Sequence, residues 1–154
     1  MHRLIPAAIM ATLASTASAQ DAYVGGSLDY NLPHSGDAQT AGSVIAGLGF
    51  DLGTFGVGAE VEYGLRIAGD NDYDMARVGG WASYDWADYT LIAGGGITEY
   101  YFEDSNSGGF NFSIGAERDL TDRVSVRGQI IRDFLDNAFT KAVTTTRLAV
   151  AYNF

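Results

Sequence analysis

The last eleven residues, TTTRLAVAYNF at positions 144–154, decide the fold because their side chains alternate in chemical class. One set is Thr144, Thr146, Leu148, Val150, Tyr152 and Phe154, and the other is Thr145, Arg147, Ala149, Ala151 and Asn153. A period of two residues places the two sets on opposite faces of a β-strand. The segment therefore predicts a strand with one apolar face and one face that is not.

The same alternation recurs along the chain in segments of about ten residues separated by short polar turns. The predicted strands are approximately 22–30, 41–52, 55–67, 74–86, 89–102, 108–120, 124–135 and 144–154. An even number of antiparallel strands closes into an up-and-down barrel with both termini at one end. We therefore predict an all-β fold, an eight-stranded antiparallel up-and-down transmembrane β-barrel.

The polar face favours a membrane barrel. A soluble ligand-binding barrel turns its apolar face inward, whereas a membrane barrel turns it towards lipid. Here the polar face is rich in glycine and carries charges of both signs, which suits a narrow lumen filled by paired ions. The predicted lumen charge network is Glu60, Glu62, Arg77, Glu117, Arg127 and Arg147. These ions either neutralise one another and close the lumen or line a narrow, gated ion path.

The connections alternate in length, as expected for a membrane barrel. Tight links are predicted at 51–54, 85–88 and 119–122, and longer ones at 31–40, 68–73, 103–107 and 136–143. We assign the tight links to the periplasm and the longer ones to the cell exterior. Aromatic residues near the strand ends predict two interfacial girdles: Phe50, Phe55, Tyr84, Trp86, Tyr89, Tyr152 and Phe154 at the periplasmic end, and Tyr30, Tyr101, Phe110 and Phe134 at the outer end.

The N-terminus resembles a secretory signal. It has a basic start at His2 and Arg3, an apolar run over 4–13, and Ala17-Ser18-Ala19 as a small-residue cleavage site. We predict a signal peptide at 1–19 and one outer-membrane β-barrel domain at 20–154. No later stretch reaches the roughly 18 consecutive apolar residues of a transmembrane helix. A membrane-bound mature chain must therefore cross with strands.

Composition excludes several classes of site. Cysteine is absent, so disulfides and thiolate metal sites are impossible. The net charge of −10 disfavours nucleic acid or an anionic membrane surface as a partner. Two arginines, Arg118 and Arg132, interrupt the outward apolar pattern near strand ends, where they either reach lipid phosphates or are simply exposed.

These features together resemble the small eight-stranded outer-membrane barrels of the OmpA and OmpX type over residues 20–154. The most specific element is the last strand with its terminal Phe154. The resemblance implies an outer-membrane location and contact with lipid and lipopolysaccharide. It also implies an assembly signal at Tyr152 and Phe154, read by periplasmic chaperones and the barrel assembly machinery. We expect no downstream peptidoglycan-binding domain and only short outer loops, so tethering to the cell wall and adhesion are not carried over from the resemblance.

Two local patterns suggest chemistry and are weighed against simpler interpretations. Asp70, Asp72 and Asp74 are spaced like the opening of a calcium loop, but Met75 and Trp81 stand where that loop needs glycine and glutamate. Loose cation association or a solvated acidic loop explains them better.

The second pattern is His34, Ser35 and Asp37, which have the residue types of a hydrolytic triad but lie in one short loop where they cannot easily align. We predict no catalytic residues, no metal site and no cofactor. The predicted function is a structural outer-membrane barrel that contributes to envelope integrity. The alternatives are a narrow ion-conducting protein, a lipid-modifying enzyme at the rim, and a soluble periplasmic barrel that binds an apolar ligand.

Overall fold

The computed structural model describes residues 21–69, 73–102, 105–136 and 140–154. The predicted signal peptide, together with Asp70 and Asp72 of the calcium-like pattern, lies outside these ranges. The strands are β1 (Asp21–Pro33), β2 (Gln39–Asp51), β3 (Phe55–Gly69), β4 (Asp74–Trp86), β5 (Tyr89–Tyr101), β6 (Asn106–Thr121), β7 (Val124–Leu135) and β8 (Ala142–Asn153). No helix in the described ranges is long and apolar enough to cross a membrane.

The strands form one closed antiparallel barrel in sequence order. Each strand pairs with its neighbours along the chain, and β1 pairs with β8 to complete the circle. At this closing seam Val24 lies opposite Tyr152, and Asp29 lies opposite Arg147. Closure removes every free sheet edge, which a lipid environment demands because no water is there to bond exposed backbone groups. The predicted fold class is confirmed.

The two ends of the barrel differ. The turn end carries the connections 52–54, 87–88 and 122–123, together with the C-terminal residue Phe154. At this end Gly53 and Ala87 both adopt positive φ, at 91° and 54°, because the tight turns need left-handed backbone there. The opposite end, the loop end, carries the longer connections. At this end β1 extends to Pro33 and β2 begins at Gln39, so both strands are longer than the sequence predicted. Backbone pairing there persists beyond the alternating segments.

The exterior of the barrel is apolar. Every strand presents large hydrophobic side chains outward, and Ile97, Ile114 and Leu148 are 67%, 65% and 59% exposed. A soluble protein rarely exposes so continuous an apolar surface, whereas a membrane barrel requires one. The lumen-facing partners of the last strand, Ala149 and Ala151, are buried. The facing predicted from the sequence, with the apolar side outward, is therefore correct.

Aromatic rings pack against one another on the outer surface near both ends. At the turn end, Phe55 and Tyr84 lie 5.2 Å apart between ring centroids, and Tyr152 and Phe154 lie 5.3 Å apart. At the loop end, Phe110 stacks on Phe134 at 5.1 Å. Such belts suit the two membrane–water interfaces, where amphipathic rings are favoured.

Candidate functional site in the barrel interior

The interior is built in layers from the loop end to the turn end. We name them the apolar plug (Tyr73, Met75, Tyr100, Leu135 and Val143), the upper ion cluster (Asp29, Glu62, Arg77, Asp133 and Arg147) and the lower ion cluster (Glu60, Glu117 and Arg127). Apart from Tyr73, which directly precedes β4, they come from the lumen-facing positions of the strands, because alternate residues of each strand point inward.

The apolar plug fills the lumen at the loop end. Its side chains are buried, and Phe102 packs against them from the edge. The Tyr73 ring meets the Tyr100 ring edge-on at a centroid distance of 5.0 Å and lies 5.6 Å from the Phe102 ring. Burial raises the pKa of the Tyr73 hydroxyl above its ordinary value. This layer is the most apolar part of the described interior.

Arg77 organises one half of the upper ion cluster. Its Nε and Nη2 donate to the two carboxylate oxygens of Asp133 at 3.0 and 2.7 Å, and its Nη1 donates to Glu62 at 3.0 Å. The Tyr100 hydroxyl donates to the same Asp133 carboxylate at 2.9 Å, which joins the cluster to the plug above it. Two-pronged contacts of this kind are the strongest ion pairs that arginine forms.

Arg147 organises the other half. Its Nε and Nη2 donate to the two oxygens of Asp29 at 2.8 and 2.9 Å, and Nη2 also donates to Glu62. The Ser43 hydroxyl donates to Asp29 at 2.7 Å. Glu62 therefore joins the two arginines into one network that reaches from β1 to β8, β3, β4 and β7.

The lower ion cluster lies nearer the turn end. Arg127 Nε donates to Glu117 and Nη1 donates to Glu60, each at 2.6 Å. The Tyr23 hydroxyl also donates to Glu60 at 2.6 Å, and the indole Nε1 of Trp81 donates to that hydroxyl at 3.1 Å. The guanidinium of Arg127 lies over the Tyr23 ring, 5.2 Å from its centroid. Two aromatic rings therefore complete a layer that ions alone would leave open.

Glycine makes room for these rings. A Cβ added at Gly47 would lie 2.3 Å from the Tyr23 ring, and one added at Gly58 would lie 2.2 Å from the Trp81 ring. Any larger residue at either position would push an aromatic side chain out of the lower cluster. The glycine-rich lumen face of the sequence therefore reflects close packing inside a narrow barrel.

Between the ion clusters lies a polar cavity of about 50 Å³, lined by Arg77, Arg127, Arg147 and Gln129 among others. It has room for a few water molecules and nothing larger. Below the lower cluster, an open vestibule of about 330 Å³ widens towards the turn end, with Asp51, Asp85 and Asp119 among its lining residues. The lumen is thus open at one end and filled at the other.

All six residues of the predicted lumen charge network lie in the interior, and each forms an ion pair with another member of the six. The structure adds Asp29 and Asp133, the two-pronged partners of Arg147 and Arg77. Sequence reasoning missed both. Asp133 could have been identified from the alternation of β7, since it is an even number of residues from Arg127 and therefore lies on the same lumen face.

The remaining candidates lie at the loop end. His34, Ser35 and Asp37 are exposed in the connection between β1 and β2, where the Ser35 amide donates to the Thr140 hydroxyl at 3.3 Å. Within the described ranges, no group of three or more histidine, aspartate or glutamate side chains is arranged to hold a metal ion.

No protein-family model matches the sequence, and no curated protein matches it by sequence. Several solved structures match by fold. Neisserial surface protein A aligns with a TM-score of 0.61 at 12% identity, over 89% of this chain and 98% of that one. The N-terminal β-barrel domain of Pseudomonas aeruginosa OprF aligns at 0.60 and 12%, over 86% and 97%. Ail, the attachment invasion locus protein of Yersinia pestis, aligns at 0.56 and 11%, over 88% and 97%.

These likenesses concern the fold alone, since the identities are low. Ail has also been solved as an outer membrane protein in a phospholipid bilayer nanodisc, and that structure aligns with a TM-score of 0.55 at 13% identity. The small eight-stranded membrane barrel is therefore the shared architecture. Together with the apolar exterior, it agrees with the predicted outer-membrane location.

Proposed function

We propose that this chain is a structural outer-membrane β-barrel that contributes to the integrity of the cell envelope and passes no solutes. One observation carries the proposal: the side chains of the apolar plug and the upper ion cluster are buried in the lumen and are joined to one another. Asp29, Asp133 and Tyr100 in these layers are at most 1% exposed. An interior closed in this way leaves the lipid-facing exterior as the working surface.

A narrow ion path is the alternative that the sequence left open. An ion that crossed the lumen would have to separate Arg77 from Asp133 and Arg147 from Asp29, which are both two-pronged pairs. Breaking a buried ion pair by removing one partner costs about 3–5 kcal/mol. Above them the plug is mainly hydrocarbon and aromatic ring, and its Tyr100 hydroxyl is already bonded to Asp133, so little there can replace an ion's hydration shell. The geometry favours a closed barrel.

The partners follow from this role. We infer that the exterior contacts outer-membrane lipid and lipopolysaccharide, with the turn end in the periplasm and the loop end outside. We also infer that residues 1–19 are removed on export. The C-terminal strand, ending in Tyr152 and Phe154, is our candidate for the segment that periplasmic chaperones and the barrel assembly machinery recognise. Both rings are exposed on the folded barrel and contact each other, so they are accessible at the outer surface.

The closing test has two parts. Purified, refolded protein in a planar bilayer should remain electrically silent across a range of voltages. Cells that lack the gene should become more sensitive to detergent and large antibiotics, and expression of the gene in trans should restore resistance. Steady single-channel steps from the wild-type protein would instead support the ion path. Unchanged sensitivity would remove the proposed contribution to envelope integrity.

A further inference from the structure

An arginine on the outer wall of the barrel stands apart from the apolar side chains around it. Arg132 lies on the outward face of β7, between Ile130 and Phe134, which are 53% and 39% exposed. The register places Phe112 of β6 on one side of it and Thr144 of β8 on the other. This guanidinium therefore projects from a wall that otherwise faces hydrocarbon.

The protein gives Arg132 orientation without neutralising its charge. The guanidinium donates through Nη1 to the Thr144 hydroxyl and lies 5.9 Å from the centroid of the Phe134 ring. Salt bridges among the described residues involve Arg77, Arg127 and Arg147, and Arg132 forms none there. A cationic side chain at the edge of a membrane is stabilised by an anion beside it. Since the described residues supply no such anion to Arg132, we look for one outside them.

The depth of Arg132 indicates which anion that is. It lies three residues before the end of β7, which corresponds to about 10 Å along the strand at the usual rise per residue. Next to it, the stacked rings of Phe110 and Phe134 mark the loop-end interface. A long arginine side chain at this level reaches the headgroups while its methylene stem stays against apolar surface. We therefore expect the guanidinium to reach the headgroup phosphates.

We propose that Arg132 and Thr144 form a binding site for the phosphate group of an outer-leaflet lipid. The guanidinium would donate to two phosphate oxygens while the Thr144 hydroxyl holds it in place. Lys141 and Asp136 are both exposed in the β7–β8 connection, where their charges offset each other. Arg132 therefore leaves one net positive charge at this corner of a chain whose net charge is −10, which favours an anionic ligand. The inference rests on the proposed outer-membrane location and orientation.

The test is direct binding of lipopolysaccharide to the full barrel in an uncharged maltoside detergent, measured by native mass spectrometry. Arg132→Gln should weaken binding about tenfold, since a charged hydrogen bond and its electrostatic attraction are lost. Arg132→Lys should bind between the two, because it keeps the charge and loses the two-pronged geometry. Arg66→Gln is the matched control: Arg66 is an exposed arginine at the same end, and its loss changes net charge equally.

Two further arms identify the source of the phosphate. Lipopolysaccharide stripped of its phosphates should bind wild type and Arg132→Gln equally weakly, and millimolar inorganic phosphate should not displace the intact lipid. Displacement by inorganic phosphate would identify a free-anion site and overturn the lipid assignment. Equal binding by wild type and Arg132→Gln, or an equal loss with Arg66→Gln, would overturn the site itself.

Folding of each variant is checked by its heat-modifiable migration in detergent gels. If Arg132→Gln does not fold, Thr144→Val serves instead, with an expected loss of about threefold because it removes only the orienting oxygen. None of these outcomes bears on channel silence or on the sensitivity of deletion strains. Failure of the lipid site is therefore distinguishable from failure of the proposed structural role.

Discussion

Asp29 and Arg147 face each other directly across the seam where the first and last strands meet, and they form a two-pronged ion pair at 2.8 and 2.9 Å. The two residues are 118 positions apart in sequence. Their contact is available only once the barrel has closed. The buried charges of Asp29 and Arg147 are therefore neutralised by each other only when the barrel is complete.

Asp29→Asn should destabilise the closed barrel. The change leaves Arg147 with one carboxylate, Glu62, and removes a buried charge partner, so the free energy of unfolding should fall by about 3 kcal/mol. Urea unfolding in lipid vesicles, followed by tryptophan fluorescence, measures the loss. Asp136→Asn, at an exposed loop-end position, is the control and should leave the midpoint unchanged. Equal midpoints for both variants would show that the seam pair contributes nothing.

Adjacent positions in the last strand should respond in opposite ways to polar substitution. Val150 is half exposed on the lipid face, whereas Ala149 is buried in the lumen. Val150→Arg should impair insertion by up to about 2–4 kcal/mol if the position is central in the bilayer, and by less near the interface. Ala149→Ser should be tolerated, because its hydroxyl enters a polar interior. Folded fractions in vesicles distinguish the two, and reversed effects would contradict the assignment of faces.

Two glycines offer a matched pair for testing interior packing. Gly58→Ala should cost about 1–3 kcal/mol, because the added Cβ would lie 2.2 Å from the Trp81 ring and 2.4 Å from the Leu48 carbonyl oxygen. Gly128→Ala is the control, since a Cβ there meets nothing within 4 Å. Thermal unfolding in detergent should separate the variants. A Gly58→Ala barrel as stable as the wild type would contradict the close packing of Gly58 against the Trp81 ring and the β2 backbone.

The terminal aromatic residue should matter for assembly more than for stability. Phe154 is 77% exposed and makes its ring contact with Tyr152 at the rim, so Phe154→Ala should change the free energy of unfolding by less than about 1 kcal/mol. In cells the same variant should accumulate unassembled in the periplasm. Phe55→Ala removes another exposed turn-end ring and should assemble normally. Equal assembly of both variants would exclude Phe154 as part of a recognition signal.

The barrel and its facing could be predicted from the sequence because both depend on a local period of two. Alternation in 144–154 is visible without knowing what the strand contacts, and Arg147 falls on its polar side. In the same way, Glu60 and Glu62 fall on the polar side of β3. Strand ends were less predictable. Strand β1 extends past its alternating segment to Pro33, and β2 begins before its own, at Gln39. Pairing at these positions depends on the neighbouring strand.

The partners within the network could not be read from the sequence. Whether Arg77 bonds to Asp133 depends on which strands face each other across the lumen, and this follows from closure and stagger of the whole barrel. The apolar plug was missed for the same reason. Met75 lies on a strand face that the sequence marks as polar, and Val143 lies in a segment predicted as a connection, so only the convergence of several strands at the loop end makes them a core.

The cross-lumen ion pairs have a consequence for how this chain could evolve. Arg77 of β4 contacts Asp133 of β7, and Arg127 of β7 contacts Glu60 of β3, so each pair spans the lumen of an eight-stranded barrel. Duplication of a hairpin would add two strands and widen the lumen. The two members of each ion pair would then be too far apart to contact each other, and their charges would remain unpaired. Conversion of this barrel into a wide channel by strand gain therefore requires its interior to be rebuilt first.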